Sequence, residues 1–163
     1  MKRLLIVWHS RTGASRAMAE SAAAAAGRET GVDVRLLAAE AAGPDDLLAA
    51  DGYLFAGPEN LAALSGELKA FFDRTYYPVL DRLNGRPYAA MIAAGSDGDG
   101  AARQLARIAT GWRLRPIADP VIVRTHAQTP EAILAPKTLS GADLDRCREL
   151  GAALAAGLAM GVF

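Results

Sequence analysis

Between Arg3 and His9 the chain is a continuous apolar run, the pattern of a strand covered on both faces, and the alanine-rich stretch from Gly13 to about Arg28 predicts a helix closed by Gly27 or Gly31. The alternation then repeats. Val32 to Leu37 is a second β-branched run, and a short helix starts near Pro44, a residue suited to a first helical turn. Gly52 to Pro58 reads as a third strand, Glu59 to Leu64 as a loop, and the segment from Ser65 as a helix with Leu68, Phe71 and Phe72 at helical spacing. "RPYAAMIAAG" predicts a fourth strand ending at Gly95, followed by the glycine-rich "GSDGDG" and a helix reaching Trp112. "RPIADPVIVRT" carries a fifth strand whose Pro120 argues for an edge or bulged position. An irregular stretch containing Pro130 and Pro136 comes next, and a last helix, capped near Ser140, continues to about Met160 and packs on the sheet.

Strands alternating with helices, without repeats or linkers, predict an α/β domain: a parallel sheet with helices on both faces, joined by right-handed crossovers. A length of 163 residues suits one domain spanning 1–163. In such sheets a ligand lies outside the carboxyl ends of the strands, where strand order reverses. With five strands in the order 2-1-3-4-5, the first, third and fourth would lie side by side, and the loops at Ser10–Ser15, Pro58–Ser65 and Gly95–Gly100 would converge.

Composition narrows the partners. Lys and Arg number 18 against 18 Asp and Glu, so no basic field exists to attract nucleic acid or anionic lipid. The apolar segments at the two ends are too short to span a bilayer comfortably, so no membrane partner is expected. A single cysteine, Cys147, excludes an internal disulfide and a zinc cluster; it reads as a small buried residue, and a cytoplasmic location is the default.

The loop chemistry favours a phosphate. In "SRTGAS", Ser10 to Ser15, three hydroxyls and one glycine stand between a strand and a helix, where free N–H groups and the positive end of the helix dipole await an anion. The alternative is an ordinary helix cap. Neither the dinucleotide fingerprint after the first strand nor a P-loop occurs, so dinucleotides and triphosphates lose ground. Asp97 and Asp99 lack the remaining ligands of a calcium loop, and no metal site is expected.

S-x-T-G-x-S after a first strand resembles the phosphate loop of flavodoxins and of flavodoxin-like NAD(P)H-dependent FMN reductases and quinone reductases. "GPENLAALSGELKAFFDRT" is similar to the G-x-P-x-x-x-x-x-x-S-G-x-L-K-x-x-x-D region of the reductase branch, and "AAGSDGDGAARQL" to the glycine-rich segment after the fourth strand. The match runs from Met1 to about Val123; the last third is generic. The resemblance implies a flavodoxin-like three-layer sandwich binding FMN. The hydroxyls of Ser10, Thr12 and Ser15 and the N–H groups from Arg11 through Ala14 to Ser15 would surround the phosphate, with Gly13 allowing close approach. Pro58, Glu59, Asn60 and Leu61 would run along the isoalloxazine edge, and Gly95, Ser96 and Gly98 would close the other side. Arg11 is a departure from many flavodoxins, where this loop is uncharged; it either pairs with the phosphate or points into water.

The absence of Trp or Tyr in Glu59–Leu64 is a second departure, because many flavodoxins stack an aromatic there, and a ring open on one face can receive a nicotinamide. Tyr76, Tyr77 and Trp112 read as packing residues, Trp8 as core, and His9 and His126 as polar rim residues without a catalytic role. The function implied is an oxidoreductase in which hydride passes from NADH or NADPH to flavin N5 and on to a small-molecule acceptor such as a quinone, another flavin or a nitro compound. The flavin carries the chemistry, so no catalytic side chain is expected. The alternative is an electron-carrier flavodoxin without a substrate of its own, which the neutral charge balance disfavours. The segment after Arg124 either forms a subunit contact in a homo-oligomer or covers the sheet edge.

Overall fold

Leu4, Leu5, Ile6 and Val7 are all buried at the centre of the sheet, which is why this run forms a strand enclosed by helices on both faces. The computed structural model describes Met1–Phe163. In chain order the elements are β1 (Lys2–Trp8), α1 (Ala14–Ala26), β2 (Val32–Ala38), α2 (Pro44–Ala49), β3 (Gly52–Asn60), β4 (Ala63–Leu64), α3 (Gly66–Val79), β5 (Pro87–Ala94), α4 (Asp99–Gly111), β6 (Arg115–Pro116), β7 (Val121–Arg124), α5 (Pro130–Leu134) and α6 (Gly141–Met160).

The sheet order is β2-β1-β3-β5, with β6 and β7 both on the free edge of β5. These last two are the two ends of the single fifth strand expected from the sequence, so the order 2-1-3-4-5 holds. Pro116 and Pro120 bring no N–H to a ladder, and the strand breaks between them: β6 pairs with Pro87–Tyr88, β7 with Met91–Ala94. Every pairing is parallel except β3 with β4.

Alternate residues of each strand feed two unlike cores. On one face Leu5, Val7, Tyr53, Phe55, Tyr88 and Ile92 meet α2, α3 and α4. There Phe55 lies at the middle of an aromatic cluster, within 6.5 Å of the ring centres of Tyr53, Phe71, Phe72, Tyr88 and Trp112. On the other face Leu4, Ile6, Leu54, Ala56 and Met91 meet the small side chains of α1 and the aliphatic face of α6. The two helices approach so closely that a Cβ added to Gly151 would stand 2.3 Å from the Ala22 carbonyl oxygen. Cys147 is fully enclosed there, and burial pushes its thiol up to about 11. At the far end of the sheet Tyr53 donates to the Leu47 carbonyl at 2.7 Å while the Arg86 guanidinium donates to the Ala50 carbonyl and to the Tyr53 oxygen. Burial pushes the Tyr53 phenol up to about 12 although Arg86 opposes the shift.

Three expectations are corrected. The segment Glu59–Leu64 is a hairpin, not a loop: β3 runs on to Asn60, Leu61 and Ala62 turn with φ of 52° and 64°, and Glu59 and Asn60 pair with Leu64 and Ala63. A two-residue hairpin turn with both φ positive normally carries Asn-Gly, so Leu-Ala hid it. Tertiary contacts hold it instead, the Leu64 N–H donating to Gln104 Oε1 at 2.7 Å. The stretch expected to be irregular holds α5, whose signal was present: Thr129 accepts from the Ala132 N–H and Pro130 occupies the first turn. Trp8 is half-buried rather than core, because it ends β1 and its outer face lies beneath the Arg16 guanidinium, 5.6 Å from the ring centre.

Candidate functional site

A cleft of about 590 Å³, counted to its open mouth, lies at the carboxyl ends of β1, β3, β5 and β7. Its first wall is the turn from β1 into α1. Ser10 Oγ accepts from the Gly13 N–H at 3.0 Å and tightens this turn, and Gly13, at φ 100°, occupies the N-cap position without a side-chain cap. The N–H groups of Arg11, Thr12, Ala14 and Ser15 make no loop or cap hydrogen bond with the rest of the chain. Those of Ala14 and Ser15 are donors that a helix start leaves open, and those of Arg11 and Thr12 belong to the turn before it.

Ser15 supplies the sharpest observation. Its side chain is 1% exposed, lines the cleft, and its Oγ is the one buried side-chain polar atom without a partner. An orphaned buried hydroxyl costs about 1–3 kcal/mol, so its presence points to a group that would satisfy it. With Thr12 beside it and a helix N-terminus behind it, that group is an anion rich in acceptor oxygens. The donor set fits a phosphate monoester.

Pro58, Glu59 and Asn60 form the second wall. The Glu59 carboxylate accepts from the Gly98 N–H at 2.8 Å through Oε1 and from the Ala101 N–H at 3.0 Å through Oε2. It therefore caps α4, and the negative charge answers that helix's dipole rather than facing a ligand. Gly95, with Ala93 and Ala94 of β5, makes the floor. Of the residues expected from the sequence, Ser10, Arg11, Thr12, Ala14, Ser15, Pro58, Glu59, Asn60 and Gly95 line one cleft. Gly13, Leu61, Ser96 and Gly98 do not line it; Gly13 shapes the turn, Leu61 is fully exposed at the hairpin tip, and the Gly98 N–H is committed to Glu59.

Sequence reasoning missed the third wall. Thr125, Ala127, Ile133, Leu134 and Lys137 close the cleft from the segment after β7. The register of β7 on β5 carries it there: the Thr125 N–H donates to the Ala94 carbonyl and the His126 N–H to the Gly95 carbonyl, both at 2.8 Å. The segment returns to the first wall at Lys137, whose N–H donates to the Thr12 carbonyl at 2.8 Å. No local motif signals this, although a lysine and two large apolar residues in a proline-bounded stretch were visible.

The two histidines stand apart from these walls. His9 is not the rim residue expected but is buried, its Nδ1 2.8 Å from Ser65 Oγ and Nε2 3.7 Å from Glu67, so it ties the end of β1 to the start of α3. His126 is exposed. No group of three or more His, Cys, Asp or Glu side chains is placed to hold a metal ion. No helix is long and apolar enough to cross a membrane.

A family model described as NADPH-dependent FMN reductase matches residues 41–129, more than half of the chain. The chain belongs to the NADPH-dependent FMN reductase family. The part shared with that family contains the second wall and the floor of the cleft, while Ser10–Ser15 and Lys137 lie outside it. A flavodoxin of Aquifex aeolicus is 28% identical over 160 residues, covering 95% of this chain and 86% of that protein. Among solved structures, a flavodoxin from the domain Archaea superposes with a TM-score of 0.77 at 21% identity, covering 96% of this chain and 98% of its own. A flavodoxin, WrbA-like protein from Agrobacterium tumefaciens gives 0.76 at 19% identity, covering 98% and 99%. Those likenesses establish a flavodoxin-like fold for this member of the FMN reductase family.

Proposed function

We propose that the cleft binds FMN and that the protein is an NAD(P)H-dependent oxidoreductase delivering electrons to a quinone, a flavin or a similar small acceptor. The observation that carries this reading is the unpartnered, buried Ser15 hydroxyl at the head of α1, flanked by Thr12 and by N–H groups without partners. Family membership supports the mononucleotide over other phosphate esters.

In this reading the Thr12 and Ser15 hydroxyls and the N–H groups of Arg11, Ala14 and Ser15 hold the phosphate, while Ser10 keeps the turn in shape through Gly13. Pro58, Glu59 and Asn60 present backbone along one edge of the ring and Gly95 approaches from the other. Leu61, Ser96 and Gly98 lie outside the lining of the cleft. When bound, FMN supplies the two-electron chemistry between nicotinamide and acceptor, and the chain supplies position and polarity. None of the residues lining the cleft is aromatic, so no side chain there stacks across a ring and a second planar molecule has access.

A carrier reading has its own support in the 28% identity to the Aquifex flavodoxin across 95% of this chain. The equal numbers of acidic and basic residues weigh against it, since a carrier relies on a charged face to steer docking. The two readings separate in one experiment: an absorption titration of the purified protein with FMN, followed by NADH and NADPH oxidation with a quinone. Perturbed flavin bands with steady nicotinamide oxidation support the oxidoreductase. Binding without oxidation supports the carrier, and no binding overturns both.

A further inference from the structure

Lys137 is a cation without a counterion. Its Nζ donates to the carbonyls of Ala132, Ile133 and Ala135 at 2.8, 2.9 and 2.6 Å, and it forms no ion pair with any carboxylate. Those carbonyls close the end of α5, so the ammonium is fixed in place by the strap that carries it. The side chain is partly buried, lines the cleft, and its Nζ stands 3.5 Å from Thr12 Oγ1 on the phosphate loop. One unbalanced charge and one unsatisfied hydroxyl, Lys137 and Ser15, therefore line the same cleft.

We propose that Lys137 is the specificity residue of this site: its ammonium supplies the counter-charge by which the cleft selects a phosphorylated flavin over the unphosphorylated one. The inference rests on the FMN reading above and adds a residue outside the part shared with the family. The physical case is one of charge. A phosphate monoester brings about 1.5 to 2 negative charges at neutral pH, whereas a helix N-terminus offers the equivalent of only about half a positive one. Loop hydroxyls add dipoles and no net charge. A held ammonium supplies most of the difference, and because three carbonyls already fix it, little conformational freedom is lost when the anion arrives. Arg11 is the other cation of the cleft, but it is exposed and its charge is screened.

Lys137 also stabilises the strap, and the test separates the two roles. Titrate the full chain with FMN and with riboflavin by flavin fluorescence, for the wild type, Lys137→Met, Lys137→Arg and Thr129→Ala. Thr129→Ala loosens the start of α5 and leaves the charge. The expected result is a loss of roughly tenfold or more in FMN affinity for Lys137→Met with riboflavin affinity nearly unchanged. Lys137→Arg keeps most of the preference, and Thr129→Ala leaves the FMN-to-riboflavin ratio at the wild-type value. In the wild type, added salt weakens FMN more than riboflavin, and Lys137→Met loses much of that difference. Equal weakening of both flavins by Lys137→Met, or an unchanged ratio, overturns the proposal and leaves FMN binding intact. Failure of the wild type to bind either flavin overturns the FMN reading itself, and this proposal with it.

Discussion

Ser10–Ser15 and Thr125–Lys137 face each other across one cleft and are attached to the fold in opposite ways. The first wall grows out of the buried core. β1 is central, and α1 sets Met18, Ala19 and Ala22 against the sheet and α6, all fully enclosed. The other hangs from the edge. β7 is a four-residue strand, α5 contributes no buried residue, and Ile133 and Leu134 are 50% and 70% exposed. A ligand held by both is oriented by the buried side and charged by the exposed one, so changes to the packing beneath the first should register as stability and changes to the other as affinity.

The sharpest way to break that contrast is Gly151→Leu. Its Cβ alone would sit 2.3 Å from the Ala22 carbonyl oxygen, and a backbone atom cannot swing aside, so α1 has to move. A loss of about 3 kcal/mol is expected in urea unfolding, while Ile133→Ala on the strap changes stability by less than about 0.5 kcal/mol. Equal losses would show that the strap is as much part of the core as α1 is.

Ser15→Ala separates affinity from stability on the first wall itself. Removing an orphaned buried hydroxyl stabilises the ligand-free chain by about 1 kcal/mol, and the same change weakens FMN by about tenfold, since the phosphate loses a donor. Opposite signs are the point of this variant. If both properties fall together, the Ser15 hydroxyl is a structural group with a partner in solution, and the anion reading of the loop loses its support.

A smaller effect belongs to the hairpin beside the cleft. Leu61 and Ala62 hold φ of 52° and 64°, conformations that cost an L-residue about 1–2 kcal/mol, and the double change Leu61→Asn with Ala62→Gly restores the residues such a turn prefers. A gain of about 1 kcal/mol in thermal or urea unfolding is expected, with FMN affinity unchanged because the tip lies outside the lining.

What the sequence disclosed follows the same division. The sheet order was legible because each central strand is a continuous apolar run and each crossover helix has its own periodicity, so local pattern and tertiary role coincide. The first wall was legible because Ser10, Thr12, Gly13 and Ser15 all fall within six residues of sequence. The hairpin was hidden because Leu61 and Ala62 are poor turn residues, and the returning strand is held at Leu64 by Gln104, 40 positions away. Lys137 was hidden for a related reason: it meets Thr12 across 125 positions, through the register of an edge strand interrupted by Pro120. Glu59 lines the cleft where its motif puts it, but the capping of α4 by its carboxylate was hidden, because that contact depends on where two loops meet.

The smallest global effect is expected from Thr129→Ala, and it probes how independent the strap is. Thr129 Oγ1 accepts the Ala132 N–H at 3.2 Å, an exposed cap on a five-residue helix with no buried side chain. Losing a cap costs about 0.5–2 kcal/mol, but only of the equilibrium in which α5 itself opens. If the strap opens on its own, urea unfolding shifts by less than about 0.5 kcal/mol while proteolysis within residues 125–137 and amide exchange there rise several-fold. If the strap instead opens only with the whole domain, the same substitution lowers global stability and local cleavage together. That outcome would make the two walls one cooperative unit and would place the charge at Lys137 on the same frame as the phosphate loop.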